Sequence, residues 1–360
     1  MRGISRAIPN VIRRGPLNGR LPEFSYWIES DNLLSGRSNN PWDLSRTPGG
    51  SSGGESAAIA AGMSPLGLGT DLAISVRGPA AQTGITSMKA THGRVPMTGI
   101  WPRAPRRFWH VGPMARSVRD IALAFGQIAG PDGRDALSTR ADWSRPRPDR
   151  PLRVGWMVGP GFGPVDPEVV ATVRAAADAL RDLGVHVEHV GIPALERDFA
   201  LDVFNRLHVM EMKPAFRAAV SGHEDQMYKM ARTMLSLPET SLQDFIDAEQ
   251  AADRLRDGYA EYFQNYDALI THVLPLPAHE HGVEEFVIDG QTVDATYLQG
   301  ATVPLNVTGL PGLSMRFGTS RQGLPINVQI VGSWHAEATI LHVASLLEGD
   351  SPVLGLRPPV

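Results

Sequence analysis

The sequence predicts an α/β fold with a mixed, largely parallel central sheet flanked by helices. Residues 152–156 and 185–190 are both strand-like, and an amphipathic helical segment that starts after the capping residue Asp166 lies between them. A strand, a helix and a strand at this spacing favour a parallel pair with a crossover helix. Residues 268–271 and 328–331 have the apolar character of further buried strands.

The other predicted elements follow from helix signals and from apolar runs. Alanine between flanking glycines predicts a short helix. Ser and Asp residues three positions apart predict a capped helix start. In chain order these elements are a helix over 55–62, a strand over 66–69, a helix from Ser117 to 128, mostly helical sequence over 199–265 with its longest helix capped by Ser241 and Asp244, and a last helix over 336–347.

Composition shifts divide the chain into segments. Residues 1–20 carry five arginines and no acid, and we expect them to be poorly structured. Residues 21–134 form the core of the fold, and the polar, proline-rich residues 135–150 form a surface connection. Residues 151–360 complete the same domain, with a variable helical region at about 195–300.

Composition also narrows the function. The 360 residues are 42% apolar and 20% charged with a formal net charge of −4, which is ordinary for a soluble protein and gives no signature of nucleic-acid binding. No apolar run is long enough for a membrane span, and we expect a cytoplasmic protein. The absence of cysteine excludes thiol catalysis. His279 and His281, with His272 nearby, are a weak candidate for a metal site, since no clear third ligand accompanies them, and we expect no metal.

Two serines stand in turns that favour nucleophilic chemistry. Ser51 lies within the glycine-rich residues 49–54, and Ser75 closes a turn just after the strand at 66–69. A serine hydroxyl needs a neighbouring base, and a tetrahedral oxyanion needs donors such as the backbone N–H groups of a tight turn. On spacing alone, the alternative is that Ser51 and Ser52 cap the following helix and that Ser75 is a turn residue.

Residues 22–130 resemble the amidase signature family. The resemblance lies in Thr-Pro-Gly-Gly-Ser-Ser-Gly-Gly at 47–54, Gly-Leu-Gly-Thr-Asp at 67–71 and Ser-Val-Arg at 75–77, and it continues more weakly through Asn306-Val307-Thr308-Gly309-Leu310-Pro311. It implies the amidase signature fold and a Ser-cisSer-Lys triad. Ser75 is then the nucleophile, Ser51 relays its proton after a cis peptide bond with Gly50, and a lysine is the terminal base.

The same resemblance implies roles for the neighbouring residues and no cofactor. The backbone of Leu72, Ala73 and Ile74 forms the oxyanion turn, and the residues expected to support the site are Ser52, Gly50, Thr70, Asp71 and Arg77. We expect Asp71 and Arg77 to be buried and hydrogen-bonded to each other.

The sequence departs from the family pattern in two places. The family lysine stands well before the first serine, upstream of residue 1, so we expect a chain whose first β-α units are missing. Lys89 matches a different, structural position. The family also has two glycines where this chain has Ala73 and Ile74, and a β-branched Ile74 resists positive φ and narrows the pocket.

The leading functional prediction is therefore an amidase-family hydrolase that cleaves a small-molecule carboxylic amide through a serine acyl-enzyme. The alternatives are a catalytically inactive amidase-like binding protein and an amidotransferase component of the A type. Because missing N-terminal units expose sheet edge and apolar surface, we also expect marginal stability or compensating homo-oligomerisation.

Overall fold

The computed structural model describes residues 20–140, 150–159 and 161–359. The predictions for residues 1–20 and for most of the connection 135–150 therefore lie outside the described residues. The first half of the chain contains β1 (Asp31–Asn32), β2 (Gly36–Arg37), α1 (Gly53–Ala60), β3 (Leu66–Asp71), α2 (Arg77–Thr83), β4 (Thr86–Lys89), β5 (His110–Ala115) and α3 (Val118–Ile128).

The second half is richer in helix. It contains β6 (Arg153–Trp156), α4 (Pro167–Asp182), β7 (His186–His189), α5 (Pro193–Arg197), α6 (Ala200–Val220), α7 (Lys229–Ser236), α8 (Leu242–Tyr262), β8 (Ala268–His272), β9 (Glu285–Ile288), β10 (Gln291–Asp294), α9 (Val303–Thr308), β11 (Gly312–Thr319), β12 (Pro325–Gly332) and α10 (Glu337–Gly349).

Within the described residues, eight strands form the central sheet in the order β3-β5-β4-β11-β12-β8-β6-β7. The predicted β-α-β unit is confirmed, because β6 and β7 pair in parallel and α4 connects them. β6 also pairs with β8 in parallel, whereas the other neighbours in this sheet are antiparallel. The mixed α/β class is thus confirmed, but parallel pairing is confined to one end of the sheet.

The prediction of a largely parallel sheet overestimated the number of parallel strand pairs, because it was extrapolated from the β-α-β unit at one end of the sheet. A five-residue turn joins β11 to β12, and such a short connection permits only antiparallel pairing. β4 and β5 were not predicted from the sequence.

Capping residues explain where the best-predicted helices begin. Asp166 accepts a hydrogen bond from the Glu168 N–H at the start of α4, and Ser241 accepts one from the Asp244 N–H at the start of α8. In α4, the apolar residues of one stripe, among them Val173 and Leu180, are fully buried.

Helices cover both faces of the sheet. α3, α4 and α10 share one apolar cluster with the strands, in which Phe125, Leu180 and Ile340 are fully buried. The larger cluster on the other face joins α6, α8 and α9 to the sheet. The turn that follows β3 and carries Ser75 packs into this second cluster through Leu72 and Ala73. No helix in the described part of the chain is both long and apolar enough to cross a membrane.

Candidate active site

Ser75 lies at the wall of a cavity of about 350 Å³. The turn formed by residues 72–75 follows β3 directly and forms part of the wall. The segment before β1, one side of α6 and the segment after α7 form much of the rest. Ser75 is 7% exposed, so its side chain is almost enclosed at this wall. The residue predicted as the nucleophile therefore borders a space that can hold a ligand.

The glycine-rich loop that carries Ser51 is packed against backbone. A Cβ added to Gly50 would lie 2.5 Å from the backbone nitrogen of Glu29, so no side chain fits at this position. The peptide bond between Gly50 and Ser51 is cis, as the family resemblance implies. Ser30 Oγ lies 2.9 Å from the Gly49 carbonyl oxygen and 3.0 Å from that of Ser51.

Ser30 also takes the role that the capping alternative gave to the loop serines. Its Oγ accepts a hydrogen bond from the Gly53 N–H at the first residue of α1, whereas the Ser52 side chain makes no cap hydrogen bond. Sequence reasoning missed Ser30, because an isolated serine upstream of the motif gives no signal.

The two serine segments are tied together, and one hydroxyl is left without a partner. The Ser52 N–H donates to the Ser75 carbonyl oxygen at 3.2 Å. Ser51 is fully buried, and within the described residues its Oγ has no hydrogen-bond partner. Buried hydroxyls are normally paired, so the unpaired Ser51 Oγ is an exception, one residue from the Ser52 N–H that binds the Ser75 segment.

The turn before Ser75 leaves donors unused. In the described part of the chain, the backbone N–H groups of Leu72, Ala73 and Ile74 make no hydrogen bond to another backbone group. Neither Ala73 nor Ile74 has positive φ, so the turn forms here without the backbone conformation that Ile74 was expected to resist. The Ile74 side chain instead packs over Gly78, where an added Cβ would lie 2.5 Å from Ile74 Cγ1. Ile74 also lines the cavity, consistent with the prediction that it narrows the pocket.

Asp71 and Arg77 form the predicted buried pair on either side of this turn. Both are fully buried, and Arg77 Nη2 donates to Asp71 Oδ1 at 2.9 Å and to the Ala73 carbonyl oxygen at 3.0 Å. Burial alone would raise the pKa of the Asp71 carboxyl, but the adjacent Arg77 guanidinium holds it below the usual value. The ion pair therefore fixes the backbone of the turn at Ala73.

Asn306 completes this network. Its Oδ1 accepts from Arg77 Nη2 at 2.5 Å, and its Nδ2 donates to Asp71 Oδ1 at 2.9 Å. The sequence contained the signal for this residue, because Asn306 opens the second segment of family resemblance, but it was not selected as a site residue.

The described lysine ammonium groups are engaged away from Ser51. Lys89 Nζ donates to the Leu310 carbonyl oxygen at 2.5 Å and lies 3.2 Å from His110 Nε2. Burial lowers the pKa of Lys89 well below its usual value. Lys213 Nζ donates to the Leu237 carbonyl oxygen.

Two other sets of candidate residues lie outside the cavity wall. Thr70 lies on β3 opposite Val111 and is not among the residues that line the cavity. His279 and His281 both lie about 4 Å from the buried Glu29, while His272 packs edge-on against Phe162. In the described ranges, no three His, Cys, Asp or Glu side chains come together in a way that could hold a metal ion.

A family model described as Amidase matches residues 18–341 of this chain. The chain belongs to this amidase signature family, so it is an amidase-family hydrolase by descent.

Among its relatives is the A-type component of the glutamyl-tRNA(Gln) amidotransferase from Symbiobacterium thermophilum. The two are 35% identical, and the alignment covers 90% of this chain and 71% of the relative. Among solved structures, a 6-aminohexanoate cyclic dimer hydrolase is 28% identical with a TM-score of 0.82, covering 94% of this chain and 75% of the other. A bacterial aryl acylamidase of the same family is 27% identical with a TM-score of 0.80, covering 91% of this chain and 71% of the other.

Proposed function

We propose that this chain hydrolyses a carboxylic amide through an acyl-enzyme formed on Ser75. The observation that carries the proposal is the position of Ser75, which lies at a cavity wall and ends a turn with unused N–H donors. The segment of Ser75 is bound by the N–H of Ser52, the neighbour of Ser51 with its buried, unpartnered hydroxyl. These are the parts that acyl transfer requires: a nucleophile, a route for its proton and donors for the oxyanion.

The reaction then follows from these parts. Ser75 Oγ attacks the amide carbonyl carbon and gives its proton to Ser51 Oγ, while Ser51 passes its own hydroxyl proton on to the nitrogen that leaves. The carbonyl oxygen becomes an oxyanion that accepts hydrogen bonds from the N–H groups of the 72–74 turn. Collapse of this intermediate breaks the C–N bond, and the leaving nitrogen takes up a proton and departs as ammonia or an amine. Water then cleaves the ester on Ser75 and releases the carboxylic acid.

Supporting residues keep this geometry fixed. Gly50 allows the loop to lie against the backbone at Glu29, and the Asp71–Arg77 pair holds the turn through the Ala73 carbonyl oxygen. We assign these residues and Ser52, whose N–H binds the Ser75 carbonyl oxygen, a positioning role.

A second candidate function comes from the names of the relatives. Several are named as components of glutamyl-tRNA(Gln) amidotransferase, which favours a chain that works with partner proteins and uses the same serine chemistry on an amide donor. A catalytically inactive amidase-like binding protein is the third candidate, and it is favoured because Lys89 and Lys213 donate to the carbonyl oxygens of Leu310 and Leu237 and not to Ser51.

Ammonia release from simple carboxamides and from L-glutamine tests these candidates. Turnover of a simple amide by the isolated chain, lost in Ser75→Ala and kept in the exposed Ser221→Ala control, supports the proposed hydrolase. Activity on glutamine that appears only with added partner proteins supports the second candidate. A folded chain without any turnover supports the third.

A further inference from the structure

The cavity beside Ser75 is more apolar than the names of its lining residues indicate. Tyr26 and His208 both line it, yet they use their polar atoms on each other and on the backbone. The Phe204 carbonyl oxygen can only accept, so His208 Nδ1 donates to it at 2.8 Å. His208 Nε2 is then the acceptor for the Tyr26 hydroxyl, also at 2.8 Å.

The environment of His208 keeps this ring neutral. Its imidazole stacks on Phe204 with ring centroids 4.1 Å apart, and it is 3% exposed. Burial lowers the pKa of His208 to about 4. Together with the Tyr26 ring, this stack presents carbon surface and one phenolic oxygen to a ligand.

The threonines at the cavity are also engaged. Thr240 Oγ1 donates to the Arg206 carbonyl oxygen at 3.1 Å, and Thr296 Oγ1 donates to Asp294 Oδ1 at 2.5 Å. Gln299 Nε2 donates to the Thr296 carbonyl oxygen at 3.3 Å. These three side chains therefore have few groups left for a ligand. Besides the Ser75 turn, where the amide must bind, the remaining uncharged polar side chains of the described lining are Ser25, Trp27 and Asn205.

The charge at the cavity has one sign. Arg206, which is exposed, is the single charged residue among the described residues that line the space, and none of those residues is acidic. An ammonium group on a ligand would lose its hydration here, meet no carboxylate and lie near a guanidinium.

Resting on the proposed hydrolysis, we infer that the substrate is an amide whose acyl group is apolar and carries no positive charge, and that amides with an ammonium group beside the carbonyl are excluded. An aryl or branched alkyl acyl group fits against the rings of Tyr26, Phe204 and His208, and the amide group then reaches the Ser75 turn. A carboxylate at the far end is compatible with Arg206, whereas an α-amino acid amide is not.

Two ligands that differ by one group test this inference. 3-Phenylpropanamide and L-phenylalaninamide share the ring and the amide, and the second adds an α-ammonium that is protonated at pH 6. Their dissociation constants are measured by NMR titration at pH 6 against full-length Ser75→Ala, so that turnover plays no part. We expect the dissociation constant of 3-phenylpropanamide to be lower than that of L-phenylalaninamide by a factor of about ten or more.

The Arg206→Glu variant in the same background supplies the matched control. It replaces the lone positive charge with a negative one, so it should narrow the difference between the two ligands by improving L-phenylalaninamide. Equal binding of the two amides, no binding of 3-phenylpropanamide, or a difference that Arg206→Glu leaves unchanged would each overturn the inference.

The outcome is separable from that of the proposed function. Selective binding of 3-phenylpropanamide by a protein that hydrolyses no amide retains the inferred ligand class and refutes the hydrolase. Amide hydrolysis by the wild-type chain, together with equal binding of the two ligands, supports the hydrolase and refutes the inferred ligand class.

Discussion

Removing the Asp71 carboxylate should destabilise the protein strongly. Asp71→Ala leaves the Arg77 guanidinium fully buried without its counter-charge, and it also removes the acceptor of the Val76 N–H and of Asn306 Nδ2. Loss of one partner from a buried ion pair costs about 3–5 kcal/mol. We expect Asp71→Ala to lower the free energy of unfolding by that amount.

A double-mutant cycle, measured by urea denaturation, separates the interaction energy between Asp71 and Arg77 from the contributions of their other contacts. Asp71→Ala, Arg77→Met and the double variant are compared with the wild type. Because each single variant leaves one buried charge unpaired and the double variant leaves none, the double should cost less than the sum of the singles by about 1–3 kcal/mol. The exposed pair Arg217–Glu239 is the control, and Glu239→Ala should cost about 1 kcal/mol or less.

Additive losses, or a loss in Asp71→Ala no larger than that in Glu239→Ala, would refute this reasoning. Either result would mean that the Asp71–Arg77 pair does not hold the Ser75 turn through charge.

Three further variants test other parts of the structure. Gly50→Ala should give no folded protein on size-exclusion chromatography and circular dichroism, because its Cβ would lie 2.5 Å from the Glu29 backbone nitrogen, whereas Gly349→Ala, whose Cβ meets nothing within 4 Å, should fold normally. The pKa of buried His208 is lowered to about 4, so between about pH 6.5 and pH 4 the unfolded chain binds a proton there that the folded chain does not, and stability should fall as the pH falls through this window. His208→Gln should reduce the slope of unfolding free energy against pH by up to about 1.4 kcal/mol per pH unit, and an unchanged slope would count against burial of a neutral ring. Lys89 donates to backbone and histidine acceptors, so Lys89→Met should lower the unfolding free energy but leave reactivity per folded molecule intact, and selective loss of reactivity would show that it acts as the base.

Local signals in the sequence were sufficient for many of the elements. Asp166 and Ser241 cap α4 and α8 as predicted, since a cap depends on residues within one turn of the chain. The parallel pairing of β6 and β7 was predictable for the same reason, because a single connection determines it.

Long-range pairing was not predictable from such signals. β4 pairs with β11 although more than two hundred residues separate them, and nothing in either segment specifies the partner. The predicted proportion of parallel strand pairs was therefore wrong, although the α/β fold class was correct.

The candidate site divides in the same way. Family resemblance supplied Ser51, Ser75 and the Asp71–Arg77 pair, because their motifs are contiguous in the chain. Ser30 had no local pattern, and its role arises only when the segment before β1 packs on the glycine-rich loop. The polarity of the cavity wall was also not predictable from the sequence, since the hydrogen bond between Tyr26 and His208 joins residues from distant segments.

Labelling of the purified full-length chain with a fluorophosphonate probe tests most directly whether Ser75 is an activated nucleophile. Peptide mapping by mass spectrometry then locates the phosphonylated residue. The proposed mechanism predicts labelling of the wild type at Ser75, loss of labelling in Ser75→Ala and strong reduction in Ser51→Ala, with folding of each variant verified by circular dichroism. Absence of labelling in folded wild-type protein, or labelling that persists in Ser75→Ala, would contradict it.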